Sequence, residues 1–236
     1  MPSQTFLNLP DQKRNHITQL ALAEFASHDY DSASITNLVK QAKIAKGSFY
    51  QYFEDKKDLY LYLVEMATQE KLSALQTAER PQAEMSFFVH LRWLFSAATA
   101  FNFSHPKLSQ IINRAIYGDV PFREEVLRKT HEVSTSYLHG LVVQGIERGD
   151  LDRRTDPDLA VFAIQALSDG MRTFVPRQLA LKPETLAEGA PQSLDMVALN
   201  QIYDDVIQLL ERGLGGATGV ERSQLNDSLQ DNATPH

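Results

Sequence analysis

The chain of 236 residues has no cysteine and one tryptophan. Without cysteine it can hold no disulfide scaffold, thiol nucleophile, Cys-ligated zinc or cysteine-held iron–sulfur cluster. Long apolar runs are missing as well. No window approaches the roughly 18 consecutive apolar residues of a membrane span. The opening stretch Met1-Pro2-Ser3-Gln4-Thr5-Phe6-Leu7 lacks the basic start and apolar core of a signal peptide. A cytoplasmic protein without membrane association is expected. The seven histidines form no H-E-x-x-H and no i,i+4 pair, and neither G-x-S-x-G nor a P-loop occurs. The glycine-rich run 213–219 follows a helical pattern and no strand, so it does not read as a phosphate loop. No catalytic residue, metal or cofactor is expected.

A hydrophobic fraction of 43% suffices for a packed core. Positive charge is scarce, and a net charge of -7 speaks at first sight against nucleic acid. The distribution changes that reading. Residues 1–60 carry seven basic residues (Lys13, Arg14, Lys40, Lys43, Lys46, Lys56, Lys57) and seven acidic ones, so the surplus negative charge belongs to residues 61–236. Within 34–58, five lysines face only Glu54, Asp55 and Asp58.

Helical periodicity dominates, and no stretch sustains the alternation of a half-buried strand. About nine helices are expected: 11–28 with Asp11 as N-cap, 35–42, 46–53, a long one opened by 54–57 through 79, 83–103, 106–117, 122–148, 157–175 and 194–213. Gly149 is placed to end one helix, Asp156-Pro157-Asp158 to start the next, and Pro176 to stop or kink it. In the first helix Ile17, Leu20, Ala21 and Phe25 form the apolar stripe, with Glu24 off it. A loop is expected over 180–193, with Pro183 and Pro191, and a disordered tail over 215–236. The fold class is all-α. A head at 1–58 would be followed by a larger helical domain at 59–214.

Residues 34–53 have the pattern of a helix-turn-helix: a short capped helix, a tight turn and a second short helix, backed by the helix at 11–28. Leu38, Val39, Ala42, Ile44 and Phe49 supply apolar contacts, leaving Lys46, Ser48, Tyr50, Gln51 and Tyr52 for an outward face. Lysine, hydroxyls and an amide suit phosphates and base edges.

Phe25, Ser34-Ile35, Leu38-Val39, Ala42, Ile44-Ala45-Lys46-Gly47-Ser48-Phe49-Tyr50, Tyr52-Phe53 and Lys56-Lys57-Asp58-Leu59 resemble the DNA-binding signature of TetR/AcrR-family regulators over about residues 11–60. Gly145–Leu151 through Asp156–Ala160 is similar to the loop many members carry before their first dimerisation helix. The resemblance implies that Lys46 and Gly47 approach bases in the major groove. It also implies that Ser48, Tyr50 and Tyr52 touch phosphates or sugars, that Gln51 reads a base, and that Lys56 holds a phosphate. Ser34 and Thr36 would face the DNA backbone. Two positions depart from the pattern. Lys43 replaces the usual turn glycine, which demands either a left-handed lysine or another turn geometry. Ala45 replaces the usual Ser or Thr cap.

The resemblance further implies a homodimeric, ligand-responsive regulator, a repressor of a palindromic operator released by a small hydrophobic or amphipathic effector. Phe87, Phe88, Trp93, Phe95, Phe101 and Phe103 crowd one helix as candidate pocket aromatics, to which Tyr117, Phe122, Tyr137, Phe162 and Phe174 could add, with Asn113, Arg114, Gln165 and Arg172 as polar groups, although aromatics at helical spacing also serve as plain core. In the family the last two helices pair with their symmetry mates, which would place Ala163, Gly170, Phe174, Tyr203, Ile207 and Leu210 at a dimer interface. The alternative is a helical small-molecule or lipid carrier that binds no DNA. It leaves residues 34–59 unexplained.

Overall fold

A computed structural model of the chain describes residues 1–79, 85–181 and 195–214. The expected tail at 215–236 and most of the loop at 180–193 lie outside the described residues. Every regular element described is a helix: α1 Gln4–Leu7, α2 Asp11–Ser27, α3 Ile35–Gln41, α4 Lys46–Tyr52, α5 Lys56–Thr77, α6 Phe87–Ser104, α7 Pro106–Tyr117, α8 Arg123–Arg148, α9 Pro157–Gln178 and α10 Met196–Leu214. Nine of these ten answer to the nine expected. The addition is α1, a single turn whose N-cap Ser3 accepts the Phe6 N–H.

Local chemistry sets most boundaries. Ser34 caps α3 by accepting from Asn37 N, Asp55 caps α5 by accepting from Asp58 N, and Asp156 caps α9 by accepting from Leu159 N. Gly149 ends α8 with φ +84°, a conformation that favours glycine. Two expectations need correcting. Asp11 is the first residue of α2 rather than its cap, and its carboxylate takes Arg14 Nη2 at 2.6 Å. Pro176, expected to stop or kink α9, does not stop it: the helix runs on to Gln178.

The described residues form two compact units, one built on 1–79 and 96–134, the other on 85–95, 135–179 and 195–214. In the first, α2, α5 and α7 pack on one another, and α3 and α4 close over them. Ile17, Leu22, Phe25, Leu38, Phe49, Phe53, Leu59, Tyr60, Leu63 and Ile111 are its fully buried centre. Burial of each such side chain is worth about 1.5–3 kcal/mol. The second unit has its own core, from Phe87 and Leu91 to Ile164, Ile207 and Leu210.

Candidate nucleic-acid interface

The link between α3 and α4 is a Schellman turn. Ile44 N donates to Val39 O at 3.1 Å and Lys43 N to Lys40 O at 3.3 Å, closing the orphan carbonyls of α3. This hydrogen bonding holds Lys43 at φ 52°, so the left-handed lysine is the outcome at the position without glycine. Ala45 stands at the N-cap of α4 and makes no side-chain bond. Both departures therefore have a cost in stability. Ala45→Ser should gain ~1 kcal/mol by adding the missing cap. Lys43→Gly should gain a similar amount, about 1 kcal/mol, by relieving the left-handed backbone. Chemical denaturation checks each as a raised midpoint at constant slope.

Helix α4 divides cleanly between core and solvent. Phe49 is 1% and Phe53 1% exposed, while Lys46, Gly47, Tyr50 and Gln51 face solvent and Ser48 is half-buried. Spacings of three and four residues put 46, 47, 50 and 51 on one side. Tyr50 is 55% exposed, its ring edge-on to Phe49 at 5.2 Å. A side chain at Gly47 would meet nothing within 4 Å. The fold does not require glycine there, and its bare backbone leaves room for close approach. Tyr52 is a correction. Expected on the outward face, it is only 5% exposed and packs with Phe6, because it lies three residues after Phe49 on the core side.

Around this helix Thr36 is exposed, and Ser34 is half-buried with its hydroxyl engaged in capping. Lys56 opens α5 with its ammonium donating to Asp31 O at 3.0 Å and lying 4.7 Å from the Tyr30 ring centre. It braces the turn before α3. Sequence reasoning missed Glu24, which is 9% exposed. Its carboxylate accepts Ser34 N–H at 2.7 Å, fastening the start of α3 to α2.

The pocket candidates are divided between the units. In the first, Phe101 stacks on His105 at 4.6 Å, and Arg114 pairs with Asp29. Asn113 is half-buried and Tyr117 is exposed. Phe122 is half-buried and packs against Tyr30 at 4.9 Å and Tyr60 at 5.8 Å, at the edge of the first unit's aromatic core. In the second, Tyr137 Oη and His90 Nε2 lie 3.0 Å apart, the His90 ring meets Trp93, Phe95 packs near Tyr203, and Gln165 donates to Thr135 Oγ1 at 3.0 Å. The Arg172 side chain lies outside what is described. A cleft of about 510 Å³ in the first unit is lined by Thr18, Leu22, Met66 and Leu108 among others. A cavity of about 110 Å³ in the second is lined by Phe87, His90, Gln144 and Arg148 among others. Of the pocket candidates, Phe87 alone lines either of these two.

Residues 17–63 match the family model described as bacterial regulatory proteins, tetR family, and residues 85–215 match the tetracyclin repressor-like C-terminal domain. The chain belongs to the TetR family. As a TetR-family protein it is a ligand-responsive, DNA-binding transcriptional regulator. It is similar to a TetR family transcriptional regulator of known structure from Chloroflexus aurantiacus J-10-FL. The two share 39% identity over 92% of this chain and 100% of that one, with a TM-score of 0.75. A curated relative, the fatty acid metabolism regulator protein of Bacillus subtilis, is 25% identical over 86% of this chain and 97% of its own length. The structure of the regulator FadR from Bacillus subtilis in complex with stearoyl-CoA shares the fold, with 18% identity, 82% of this chain, 96% of that one and a TM-score of 0.61.

In this TetR-family chain three of the expected interface residues are corrected. Tyr203, Ile207 and Leu210 are 2%, 8% and 8% exposed within the core of the second unit, because the apolar stripe of α10 faces that core. Ala163 is half-buried, whereas Gly170 and Phe174 are exposed on α9.

Proposed function

We propose that the chain is a cytoplasmic repressor without catalytic activity, which binds a palindromic operator as a homodimer and is released by an amphipathic effector of the fatty acyl-CoA class. The observation that carries the DNA reading is the outward face of α4, where Lys46, Gly47, Tyr50 and Gln51 stand clear of the core that Phe49 anchors. Thr36, Ser48, Lys56 and the Ser34 N-cap flank it. The effector class is supported by the fatty acid metabolism regulator of Bacillus subtilis and by the FadR regulator bound to stearoyl-CoA. Cytoplasmic residence accords with the absence, among the described residues, of a helix long and apolar enough to cross a membrane. Every relative named above is a regulator. In vitro selection from a randomised duplex pool should yield a palindrome. Stearoyl-CoA at micromolar concentration should then release it from the protein, as read by fluorescence anisotropy. If selection gives no shared sequence, the operator reading fails. If stearoyl-CoA leaves the anisotropy unchanged, the effector class is wrong.

A homodimer is supported by a ridge on α9. Phe162, Ala166, Gly170 and Phe174, at four-residue steps, are all exposed, with Phe162 at 66%. Leu159 beside them and Val197 and Leu209 on α10 add further exposed apolar surface. Surface of this kind marks an interface, and four-residue ridges suit helix pairing. Phe162→Glu should halve the mass measured by light scattering at micromolar concentration and weaken operator binding with it. A full dimer mass in that variant would place the interface elsewhere.

A further inference from the structure

The recognition helix is seven residues long, and its N-terminus lacks a side-chain cap. Its last four carbonyls have no partner within the helix itself. Phe53 N–H takes the Phe49 carbonyl at 2.9 Å. The last two, those of Gln51 and Tyr52, are met from residue 3. Ser3 Oγ donates to Gln51 O at 2.6 Å, and Ser3 N–H donates to Tyr52 O at 2.8 Å. Phe6, one turn later, is 0% exposed, its ring 4.7 Å from Phe53, 5.8 Å from Tyr52 and 5.7 Å from Tyr62. The same Ser3 hydroxyl accepts Phe6 N–H at 3.3 Å, so one side chain caps α1 and closes α4.

We infer that residues 3–6 form a latch that holds the recognition helix in register, with Ser3 and Phe6 as positioning residues for base reading. The inference rests on α4 being the DNA-reading helix, as proposed above. A helix this short, uncapped at one end, frays unless its other end is fixed. Gln51, the base-reading candidate, carries one of the two carbonyls that Ser3 holds. Losing that closure leaves the α4 backbone free to fluctuate beneath Lys46, Tyr50 and Gln51. The chain then has to order the helix on binding, at the expense of affinity for the matched site.

Ser3→Ala removes the hydroxyl while keeping Phe6 and the core. Ser3→Thr keeps the hydroxyl. Amide hydrogen exchange of the full-length protein without DNA reads the latch directly, and anisotropy with the selected duplex and a scrambled duplex reads its consequence. Exchange in 49–53 should quicken about five-fold in Ser3→Ala, as expected for the one hydrogen bond lost to α4, with α3 unchanged. Affinity for the selected duplex should fall by a similar factor of about five per half-site, about 25-fold for the dimer, while affinity for the scrambled duplex holds. Ser3→Thr should restore both. The inference is overturned by parent-like exchange in Ser3→Ala, by faster exchange without weaker selected binding, by equal loss on both duplexes, or by a Ser3→Thr protein that behaves as Ser3→Ala does. A failure of the DNA reading itself is separate, since the parent would then select no duplex while the exchange difference would remain.

Discussion

Lys46→Ala combined with Tyr50→Ala should reduce affinity for the selected duplex by about three orders of magnitude or more and leave the fold intact. Both side chains stand on the exposed side of α4, and Lys46 makes no hydrogen bond or ion pair among the described residues. Exposed substitutions of this kind change stability by about 0.5 kcal/mol or less. A lost base or phosphate contact costs on the order of 1–3 kcal/mol, and a symmetric dimer loses each contact twice. Even at about 1 kcal/mol per contact, four lost contacts amount to roughly a thousand-fold. Salt dependence gives a second reading. Two lysines removed per dimer should flatten the slope of log K against log salt by about 1.8 if both neutralise phosphates. Parent-like affinity at unchanged stability would mean that α4 does not present this face to DNA.

The head was legible because its signals are local. The Ser34 cap, the unusual turn at 43 and the missing cap at Ala45 each involve a few neighbouring residues; the structure bears out the first and the last, and of the two geometries left open at Lys43 it takes the left-handed one. Tyr52 was misplaced although its signal was present, since Phe49, Tyr52 and Phe53 form an i, i+3, i+4 apolar face. Two features had no local signal. One turn of helix at 4–7 is too short to show a period. Glu24 looked misaligned with its stripe because its partner, the Ser34 backbone, lies ten residues away.

Beyond residue 60 the periodicity placed the helices but not their partners. A stripe such as Tyr203, Ile207 and Leu210 states that one side of a helix is buried, and a monomer core satisfies that as well as a dimer would. The better sign lay off the stripe, in Val197 and Leu209, where apolar residues occur at 81% and 66% exposure. Phe122 illustrates the same limit. An aromatic in a turn can line a cavity or pack on a core, and the partners Phe122 packs against, Tyr30 and Tyr60, are distant in sequence.

That aromatic core gives the other large effect, through two substitutions with opposite outcomes. Phe25 is 1% exposed, with its ring 5.1 Å from Tyr60 and 6.3 Å from Tyr30. Phe25→Ala should cost about 3–5 kcal/mol, from lost transfer energy and the cavity left behind, and so unfold much of the head at moderate denaturant. Tyr60 is equally buried, yet its hydroxyl has no hydrogen-bond partner among the described residues. Tyr60→Phe keeps the ring and removes that buried polar atom, so at pH 7 it should change stability by less than about 1 kcal/mol. The two proteins part again in alkali. Burial pushes the Tyr60 phenol up to about 12, outweighing the Arg114 charge that lowers it. An unfolded tyrosine ionises near its ordinary value of 10. Between pH 10 and about 12 the unfolded chain therefore releases a proton that the folded one retains, and stability falls as pH rises. Below pH 10 both states hold the proton and the curve is flat with respect to this group. Tyr30, raised by its own burial and then by Asp55 and Asp31, adds to the same decline. Denaturant midpoints measured from pH 8 to 12 should drop less steeply in Tyr60→Phe than in the parent, whereas Phe25→Ala should lower the whole curve from pH 8 onward. A parent-like alkaline slope in Tyr60→Phe would show that this phenol ionises as freely in the folded head as in the unfolded chain.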